Sequence, residues 1–174
     1  MAMGKMTFII GGARSGKSRY AFTLAKKEGG RVAFIATCQP KDKEMKRRIA
    51  LHKNSRPASW ETFEEPHDIS KFLKEKGAKF EIIIIDCLTL LVSNLMLKGS
   101  NEKDIENKVR DILKTLKKIK AESIIVSNEV GLGIVPPNKL ARDFRDIAGR
   151  INQMVAAQSD KTYFMVSGIP WRIK

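Results

Sequence analysis

Five short runs of apolar residues recur along the chain, each bounded by polar residues or glycine. The runs are MTFII (6–10), VAFIA (32–36), IIIID (82–86), SIIVS (123–127) and YFMVS (163–167). Uninterrupted apolar runs of this length are typical of strands that are covered on both faces, as they are in a parallel sheet. The pattern therefore predicts five buried strands.

Helical periodicity fills several of the intervals between these runs. Apolar residues recur at three- and four-residue spacing in 105–119 and 139–157, and helix formers occupy 19–27. This alternation predicts an α/β fold with a mainly parallel central sheet flanked by helices. With 174 residues, 43% of them hydrophobic, we expect a single domain spanning 1–174. Surface loops are predicted at 98–104 and 131–138.

The segment GGARSGKS (11–18) fits the pattern G-x-x-x-x-G-K-[ST] of a phosphate-binding loop. It also has the required context, with an apolar strand before it and a helical segment after it. Glycines allow backbone N–H groups to fold around phosphate oxygens, and the start of the helix adds unpaired donors. Lys17 would reach the β- and γ-phosphates of a nucleotide, and Ser18 would ligate Mg²⁺. The alternative, a chance glycine-rich turn, is disfavoured by the strand and helix.

A metal bound at a phosphate loop needs a further ligand, and Asp86 is the candidate. It is the last residue of the EIIIID run, at the carboxyl end of a predicted buried strand. Ligands bind at that end of the strands in open parallel sheets. The alternative for Asp86 is a cap on the following helix.

A second candidate site lies in RIALHKNSRPASW (48–60), where His52 stands among cations. If 42–54 forms a helix, Arg48 lies one turn from His52. A neighbouring cation disfavours the imidazolium, so we expect a neutral, nucleophilic imidazole. Such a side chain beside phosphate-binding cations could attack a phosphorus atom and hold the group covalently. A histidine at the edge of the core, or a solvated one, is the alternative.

Charge is concentrated in the first third of the chain. The net charge is +14, and residues 1–60 carry 14 Lys and Arg against 3 Asp and Glu. This excess fits a site for a small, highly charged anion such as a nucleoside triphosphate, a nucleic-acid surface, or a lysine-rich solvated face. Aromatic side chains that would stack on bases are sparse, so we expect no nucleic-acid partner.

The remaining features indicate a cytoplasmic protein without a membrane span. No apolar run approaches the ~20 residues that a spanning helix requires, and MAMGKMTFII reaches glycine after too few apolar residues for a signal peptide. Cys38 and Cys87 are far apart and have no metal-like spacing, which favours a reducing compartment.

Several motifs together resemble the cobinamide kinase/cobinamide-phosphate guanylyltransferase family of cobalamin biosynthesis, over nearly the whole chain. The motifs are GGARSGKSR (11–19), RIALHKNSRPASWETFEEP (48–66), DCLTLLVSNL (86–95), SNEVGLGIVPPNKLARDFRDIAGRINQMVA (127–156) and VSGIP (166–170). The histidine-containing motif and the GIVP motif are far more specific than a phosphate loop alone. Leu91 departs from the family pattern, in which many members have tryptophan, and we expect this to alter packing rather than chemistry.

The resemblance implies two reactions on one RecA-like P-loop domain, usually assembled as a homotrimer. In the first, ATP or GTP phosphorylates the aminopropanol hydroxyl of adenosylcobinamide. In the second, GTP transfers GMP to that phosphate, which gives adenosylcobinamide-GDP and pyrophosphate. The family's signature histidine becomes guanylylated in the second reaction, and His52 holds that position.

The resemblance also implies which residues contact nucleotide and metal. Ser18 and Asp86 match the ligands of Mg²⁺. The matching nucleotide contacts are Gly11, Gly12, Ala13, Arg14, Ser15, Gly16, Lys17, Ser18, Ala36, Thr37, Cys38, Lys53, Asn54, Ser55, Arg56, Glu64 and Asp86.

The chemistry of two carboxylates fits roles in these reactions, and a structural alternative stays open for each. Glu64 could accept hydrogen bonds from the guanine N1–H and amino group, and a solvated strand-end acid is the alternative. Glu129, after the SIIVS run, is a candidate for the base that acts on the cobinamide hydroxyl, for a residue supporting the metal, or for a structural cap.

Two rival functions remain open from the sequence. One is a nucleotide-dependent small-molecule kinase without the guanylyl step. The other is a P-loop ATPase that binds nucleic acid, which only the charge favours.

Overall fold

A seven-stranded sheet forms the centre of the computed structural model, which describes residues 4–39 and 56–174. The strands are β1 (Met6–Gly11), β2 (Val32–Ala36), β3 (Glu61–Glu64), β4 (Ile82–Asp86), β5 (Glu122–Asn128), β6 (Lys161–Val166) and β7 (Ile169–Arg172). Their order in the sheet is β3–β2–β4–β5–β1–β6–β7. All neighbouring pairs are parallel except β6 and β7. The prediction of a mainly parallel sheet is confirmed.

The five predicted strands correspond to β1, β2, β4, β5 and β6, and the sequence pattern missed the two edge strands. β3 has exposed ends, and all four residues of β7 are exposed. An edge strand without a buried face has no need for a continuous apolar run. The continuous burial that made the other strands recognisable is therefore lacking in these two, although Phe63 of β3 is half-buried against the larger core.

Five helices flank the sheet in the described part of the chain. They are α1 (Lys17–Glu28), α2 (Ile69–Lys76), α3 (Leu88–Leu97), α4 (Glu102–Lys118) and α5 (Lys139–Gln158), and a 3₁₀ turn (Gly77–Lys79) follows α2. The periodic segments 105–119 and 139–157 correspond to α4 and α5. No helix in the described ranges is long and apolar enough to cross a membrane.

The loop predicted at 98–104 is shorter than expected because α4 already begins at Glu102. Asn101 accepts a hydrogen bond from the backbone N–H of Asp104, and Asp104 accepts one from the backbone N–H of Asn101. This reciprocal capping satisfies two donors that the first turn would otherwise leave unpaired. The polar residues of 98–104 therefore start the helix instead of extending the loop. The segment 131–138 contains no helix or strand, as predicted.

Side chains of β4 alternate between two apolar cores, one on each face of the sheet. Ile83 and Ile85 pack in the larger core, which includes residues from α2 to α5. Ile82 and Ile84 pack in the smaller core against α1 and β2. Leu91 lies in the larger core with 1% of its surface exposed, so the family departure at this position falls on a packing residue.

Buried polar side chains tie α3, β5 and α5 together behind the carboxyl edge of the sheet. The Thr89 and Ser127 hydroxyls lie 3.0 Å apart, and Ser127 donates to Asn152 Oδ1 at 2.7 Å. The backbone N–H of Asn128 donates to Thr89 Oγ1, and Asn152 Nδ2 donates to the Asn128 carbonyl. This network fixes the end of β5 relative to both helices.

The two-sided core predicts a large stability loss from truncating Ile84, which is fully buried in the interior strand β4. Ile84→Ala should lower the free energy of unfolding by about 2–5 kcal/mol, because it removes apolar contacts and leaves a cavity. Leu97→Ala is the matched control, since Leu97 is 60% exposed. Urea denaturation measures both variants, and equal losses would contradict the assignment of Ile84 to the core.

Candidate nucleotide-binding site

The GGARSGKS segment connects β1 to α1, as its pattern predicts. A side chain at Gly11 would lie 2.6 Å from the Met165 carbonyl, so only glycine fits there. Gly16 has a φ of +94°, a left-handed conformation that favours glycine. Ala13 and Arg14 are exposed at the tip of the loop. The tip of the loop is therefore exposed to solvent, next to the N-terminus of α1.

Lys17 is buried, and its ammonium group lies inside the loop. Lys17 Nζ donates to the Gly12 carbonyl at 2.6 Å and lies 3.5 Å from Ser15 Oγ. Burial lowers the pKa of Lys17, and the charge of nearby Asp86 opposes that shift. The ammonium group is thus held beside the loop backbone, where it can exchange these partners for phosphate oxygens.

Ser18 and Asp86 are in direct contact. Ser18 Oγ donates to Asp86 Oδ2 at 2.7 Å, although the two residues are 68 positions apart in the chain. Ser18 is in the first turn of α1, and Asp86 is the last residue of β4. A hydroxyl and a carboxylate are hard oxygen donors, and Mg²⁺ takes its other ligands from water and phosphate. The donor set therefore fits Mg²⁺, and the described residues contain no cluster of three or more acidic, His or Cys side chains that could hold a metal without them.

The turn between β6 and β7 supports the phosphate loop from outside. The backbone N–H of Gly168 donates to the Ser15 carbonyl at 3.0 Å. A side chain at Gly16 would lie 3.3 Å from the Gly168 Cα atom. Ser167 and Gly168 both have positive φ, at 50° and 84°. The Ser-Gly dipeptide is a turn signal in the sequence, but nothing in it indicates a contact with a loop more than a hundred residues away.

Thr37 follows β2 and binds the segment that follows β4. Thr37 Oγ1 donates to the Cys87 carbonyl at 2.7 Å and accepts from the Cys87 N–H at 2.8 Å. Its backbone N–H donates to the Asp86 carbonyl, and its own carbonyl accepts from Asn94 Nδ2. The side chain is fully buried. The polar atoms of Thr37 are therefore hydrogen-bonded within the protein, three of the bonds being to the backbone of Asp86 and Cys87. Thr37 would influence a bound nucleotide indirectly, by fixing the position of the Asp86 carboxylate.

Three other residues predicted to contact nucleotide lie at or near the same edge. Ala36 is paired with Glu64 on β3 and with Asp86 on β4, so the ends of three strands are adjacent. Glu64 is exposed, and Ala36 and Cys38 are half-buried. Neither cysteine is in a disulfide, and burial, assisted by the charge of Asp86, raises the pKa of Cys87 to about 12. Cys87 is therefore a neutral thiol near neutral pH.

Arg56 packs against the sheet next to this edge. Its guanidinium carbon lies 3.5 Å from the centre of the Phe34 ring, and Nη1 donates to Thr62 Oγ1 at 3.1 Å. Nε is buried and has no hydrogen-bond partner among the described residues. Burial lowers the pKa of Arg56, and the charge of Asp86 opposes that shift. Arg56 therefore places a partly buried cation close enough to Asp86 for the two charges to interact.

Glu129 lies beside the phosphate loop. Its backbone N–H donates to the Gly11 carbonyl at 3.0 Å, and its Oε1 accepts from the Gly131 N–H at 2.6 Å. One carboxylate oxygen therefore holds the turn after β5, as a structural cap would. The other makes no hydrogen bond with the described residues.

The phosphate loop and Asp86, predicted from the sequence, thus come together, with Ala36, Thr37, Glu64 and Arg56 close to the same edge. His52, Lys53, Asn54 and Ser55 lie outside the described residues. The sequence did not predict the hydrogen bond from Gly168 to Ser15 or the two hydrogen bonds between Thr37 and Cys87, because each joins segments that are distant in the chain.

Comparisons with known proteins show the family and the fold of this chain. A family profile described as cobinamide kinase / cobinamide phosphate guanyltransferase matches residues 7–173. The bifunctional adenosylcobalamin biosynthesis protein CobU of Salmonella typhimurium is 41% identical over 181 residues, covering 97% of this chain and 99% of that protein. The corresponding CobP of Pseudomonas aeruginosa is 41% identical over 166 residues, covering 95% of each chain.

Among solved structures, a KaiC-like protein from Pyrococcus horikoshii superposes with a TM-score of 0.55 at 15% identity, covering 94% of this chain and 72% of that one. This similarity supports the expected P-loop NTPase fold, with its mostly parallel sheet. The family match spans nearly the whole chain and agrees with the phosphate loop and the Ser18–Asp86 contact. The chain belongs to the cobinamide kinase / cobinamide phosphate guanyltransferase family of enzymes.

Proposed function

We propose that this protein phosphorylates adenosylcobinamide with ATP or GTP and then converts the product to adenosylcobinamide-GDP. In the second reaction GMP passes from GTP to the phosphate through a guanylylated His52, and pyrophosphate leaves. The observation that carries the proposal is the contact between Ser18 and Asp86 at the phosphate loop of a chain whose family membership spans residues 7–173. It joins the chemistry of nucleotide phosphates to a family defined by cobinamide.

In the kinase step the chain holds the triphosphate and orients the acceptor hydroxyl. Backbone N–H groups of residues 11–18 surround the phosphates, and Lys17 moves from the Gly12 carbonyl to phosphate oxygens. Ser18 and Asp86 would hold Mg²⁺, which supplies charge neutralisation of the transferring phosphoryl group. Glu129 is the candidate base for the hydroxyl, through the carboxylate oxygen that Gly131 does not occupy.

In the guanylyl step a neutral His52 attacks the α-phosphorus of GTP. A nitrogen–phosphorus bond forms, the bond from phosphorus to the pyrophosphate oxygen breaks, and the ring loses its proton. The phosphate of the acceptor then attacks the same phosphorus and releases the imidazole. Lys53 and Arg56 would stabilise charge on the leaving pyrophosphate, and the position of the Arg56 cation near Asp86 supports that role.

The proposed nucleotide contacts extend from the loop along the strand ends. Glu64 would accept hydrogen bonds from guanine, because an exposed carboxylate two strands from Asp86 faces the same edge of the sheet. Asn54 and Ser55 would contact the phosphates or ribose together with Ala36 and Cys38. Thr37 acts differently, as a positioning residue that fixes the backbone next to Asp86.

We also propose that the enzyme works in the cytoplasm as a homotrimer. Two cysteines outside any disulfide support a reducing compartment. Exposed apolar side chains support a contact between subunits, with Ile134 97% and Leu132 81% exposed in the loop before α5. Light scattering of the purified protein measures the assembly directly.

The rival function is a kinase that lacks the guanylyl step, and labelling separates the two. Incubation with α-labelled GTP should leave covalently bound label on the protein if the proposal is right. Phosphorylation of cobinamide without any labelled protein would support the rival.

Lys17→Ala and Ser18→Ala should each reduce kinase turnover by roughly a hundredfold or more, because each removes a phosphate or metal contact in the transition state. The measurement is conversion of adenosylcobinamide to its phosphate, with thermal unfolding as the check on folding. Arg110→Gln is the control, since Arg110 is ion-paired with Glu106 on the surface of α4. Near-normal turnover in a folded Lys17→Ala variant would contradict the phosphate-loop assignment.

Asp86→Asn and Thr37→Val should both raise the Mg²⁺ concentration that gives half-maximal kinase activity. The first removes a ligand charge, and the second removes the hydroxyl that fixes Cys87 next to it. We expect a shift of about tenfold or more for Asp86→Asn and a smaller one for Thr37→Val. Thr37→Ser keeps the hydroxyl and should restore the wild-type requirement. An unchanged Mg²⁺ curve in Asp86→Asn would mean that another group holds the metal.

His52→Ala should abolish covalent GMP labelling and guanylyl transfer while sparing most conversion of cobinamide to cobinamide phosphate. The phosphoryl step requires only the loop, the metal and an oriented hydroxyl, and none of these needs an imidazole. Both activities are measured on the same preparation by product chromatography. Retained GMP labelling in the variant would falsify the assignment of the nucleophile.

A further inference from the structure

A small open cavity lies between α5 and the segment that follows β5. Its volume is about 320 Å³, and it is separate from the residues assigned above to the nucleotide. The lining residues are Gly131, Arg145, Asp146, Gly149, Arg150 and Gln153. Apart from the glycines, every lining side chain is charged or an amide, so a polar ligand fits better than an apolar one.

Arg145 differs from its two arginine neighbours on the same helix. Arg142 donates to the carbonyl groups of the two prolines before α5, and Arg150 is ion-paired with Glu102. Arg145 is half-buried and makes no hydrogen bond or ion pair with a residue of the described ranges. A guanidinium group partly withdrawn from water is stabilised by an anion with matching acceptors. Arg145 is therefore the group in this cavity that is available to an anionic ligand.

The cavity has space beside Arg145 and walls that are fixed in position. Gly149 lies one helical turn after Arg145, and a methyl group added there would meet no atom within 4 Å. On the opposite wall, the Gly131 N–H is held by the Glu129 carboxylate. Asn152 on α5 donates to the Asn128 carbonyl and accepts from Ser127, so the helix and the end of β5 are joined. This connection sets the separation between the walls.

The cavity is also connected to the phosphate loop. Gly131 is two residues from Glu129, whose backbone N–H donates to the Gly11 carbonyl at 3.0 Å. Gly11 is the first residue of the phosphate loop. A ligand in the cavity would therefore lie on the β5 side of the nucleotide, away from Ala36 and Glu64 at the β2 and β3 ends. From this side a second substrate could approach the phosphates of the nucleotide without displacing its guanine.

We propose that this cavity binds the phosphate-bearing arm of the acceptor, with Arg145 as the ligand of its phosphate monoester. The proposal rests on the proposed function and assigns its second substrate a site. The fork of N–H groups on Arg145 matches two oxygens of a phosphate. Asp146 and Gln153 provide an acceptor and an amide for the primary amide groups at the edge of the corrin ring.

Arg145→Gln tests the proposal because it removes the charge and keeps a polar side chain of moderate length. The KM for cobinamide phosphate in guanylyl transfer should rise by about tenfold or more, since a hydrogen bond to a charged group is lost. The KM for unphosphorylated cobinamide and the KM for GTP should change by less than about threefold, because neither substrate carries the phosphate monoester that Arg145 is proposed to bind. Arg110→Gln, on the surface of α4, is the matched control and should leave all three constants unchanged.

Gly149→Gln is a second variant that tests the same cavity without removing the cation. It fills the space next to Arg145, and it should raise the KM for both forms of cobinamide while leaving covalent GMP labelling at the wild-type level. Equilibrium binding of cobinamide phosphate is followed by the corrin absorbance after ultrafiltration. It should be weaker in nucleotide-free Arg145→Gln and Gly149→Gln than in the nucleotide-free wild-type protein.

The outcomes separate this inference from the function on which it rests. If the wild-type protein neither phosphorylates cobinamide nor accepts GMP, the proposed function fails and the assignment of the cavity fails with it. If both activities are present and Arg145→Gln keeps the wild-type KM for cobinamide phosphate, the cavity assignment alone is overturned. A change of oligomeric mass in Arg145→Gln with unchanged KM values would assign this arginine to a subunit contact and also overturn it.

Discussion

The candidate site depends on the parallel register of β1, β5 and β4, which brings the start of α1 and the end of β4 to one edge of the sheet. The hydrogen bond between Ser18 and Asp86 expresses that register, because it joins residues 68 positions apart. Neither residue alone indicates a metal site. Their contact arises because strands with the same direction end together, and because each of these strands is buried on both faces and cannot shift without exposing isoleucines.

A second layer of buried polar groups keeps this edge in position. Backbone that leaves a strand loses its ladder partners, and its buried N–H and C=O groups need others. Thr37 and Asn94 supply them after β2 and β4. Thr89 and Asn152 supply them at the end of β5, and the Ser127 hydroxyl joins these two side chains. These side chains touch no substrate in the proposed reactions. Their contribution is to fix the positions of Asp86 and Glu129 at this edge of the sheet.

Sequence pattern predicted the parts of this structure in which burial or backbone geometry restricts the residue type. Five buried strands appear as apolar runs, and the phosphate loop appears through glycines and a lysine at fixed spacing. The edge strands β3 and β7 have too little buried surface to produce such a run. Likewise, the contact of Gly168 with Ser15 and the polarity of the cavity beside Arg145 depend on packing between distant segments. Local patterns carry no information on those distances.

The central claim of the proposed function is that one chain stores GMP on the imidazole of His52 and uses its phosphate loop for the kinase step. Peptide mapping by mass spectrometry after incubation with GTP and Mg²⁺ tests it most directly. The account predicts a single GMP group on the peptide that contains His52, lost in acid and stable in base, as expected of a phosphoramidate, and discharged when cobinamide phosphate is added. A GMP group on a different residue, or an unmodified protein that still converts cobinamide phosphate to the GDP derivative, would contradict it.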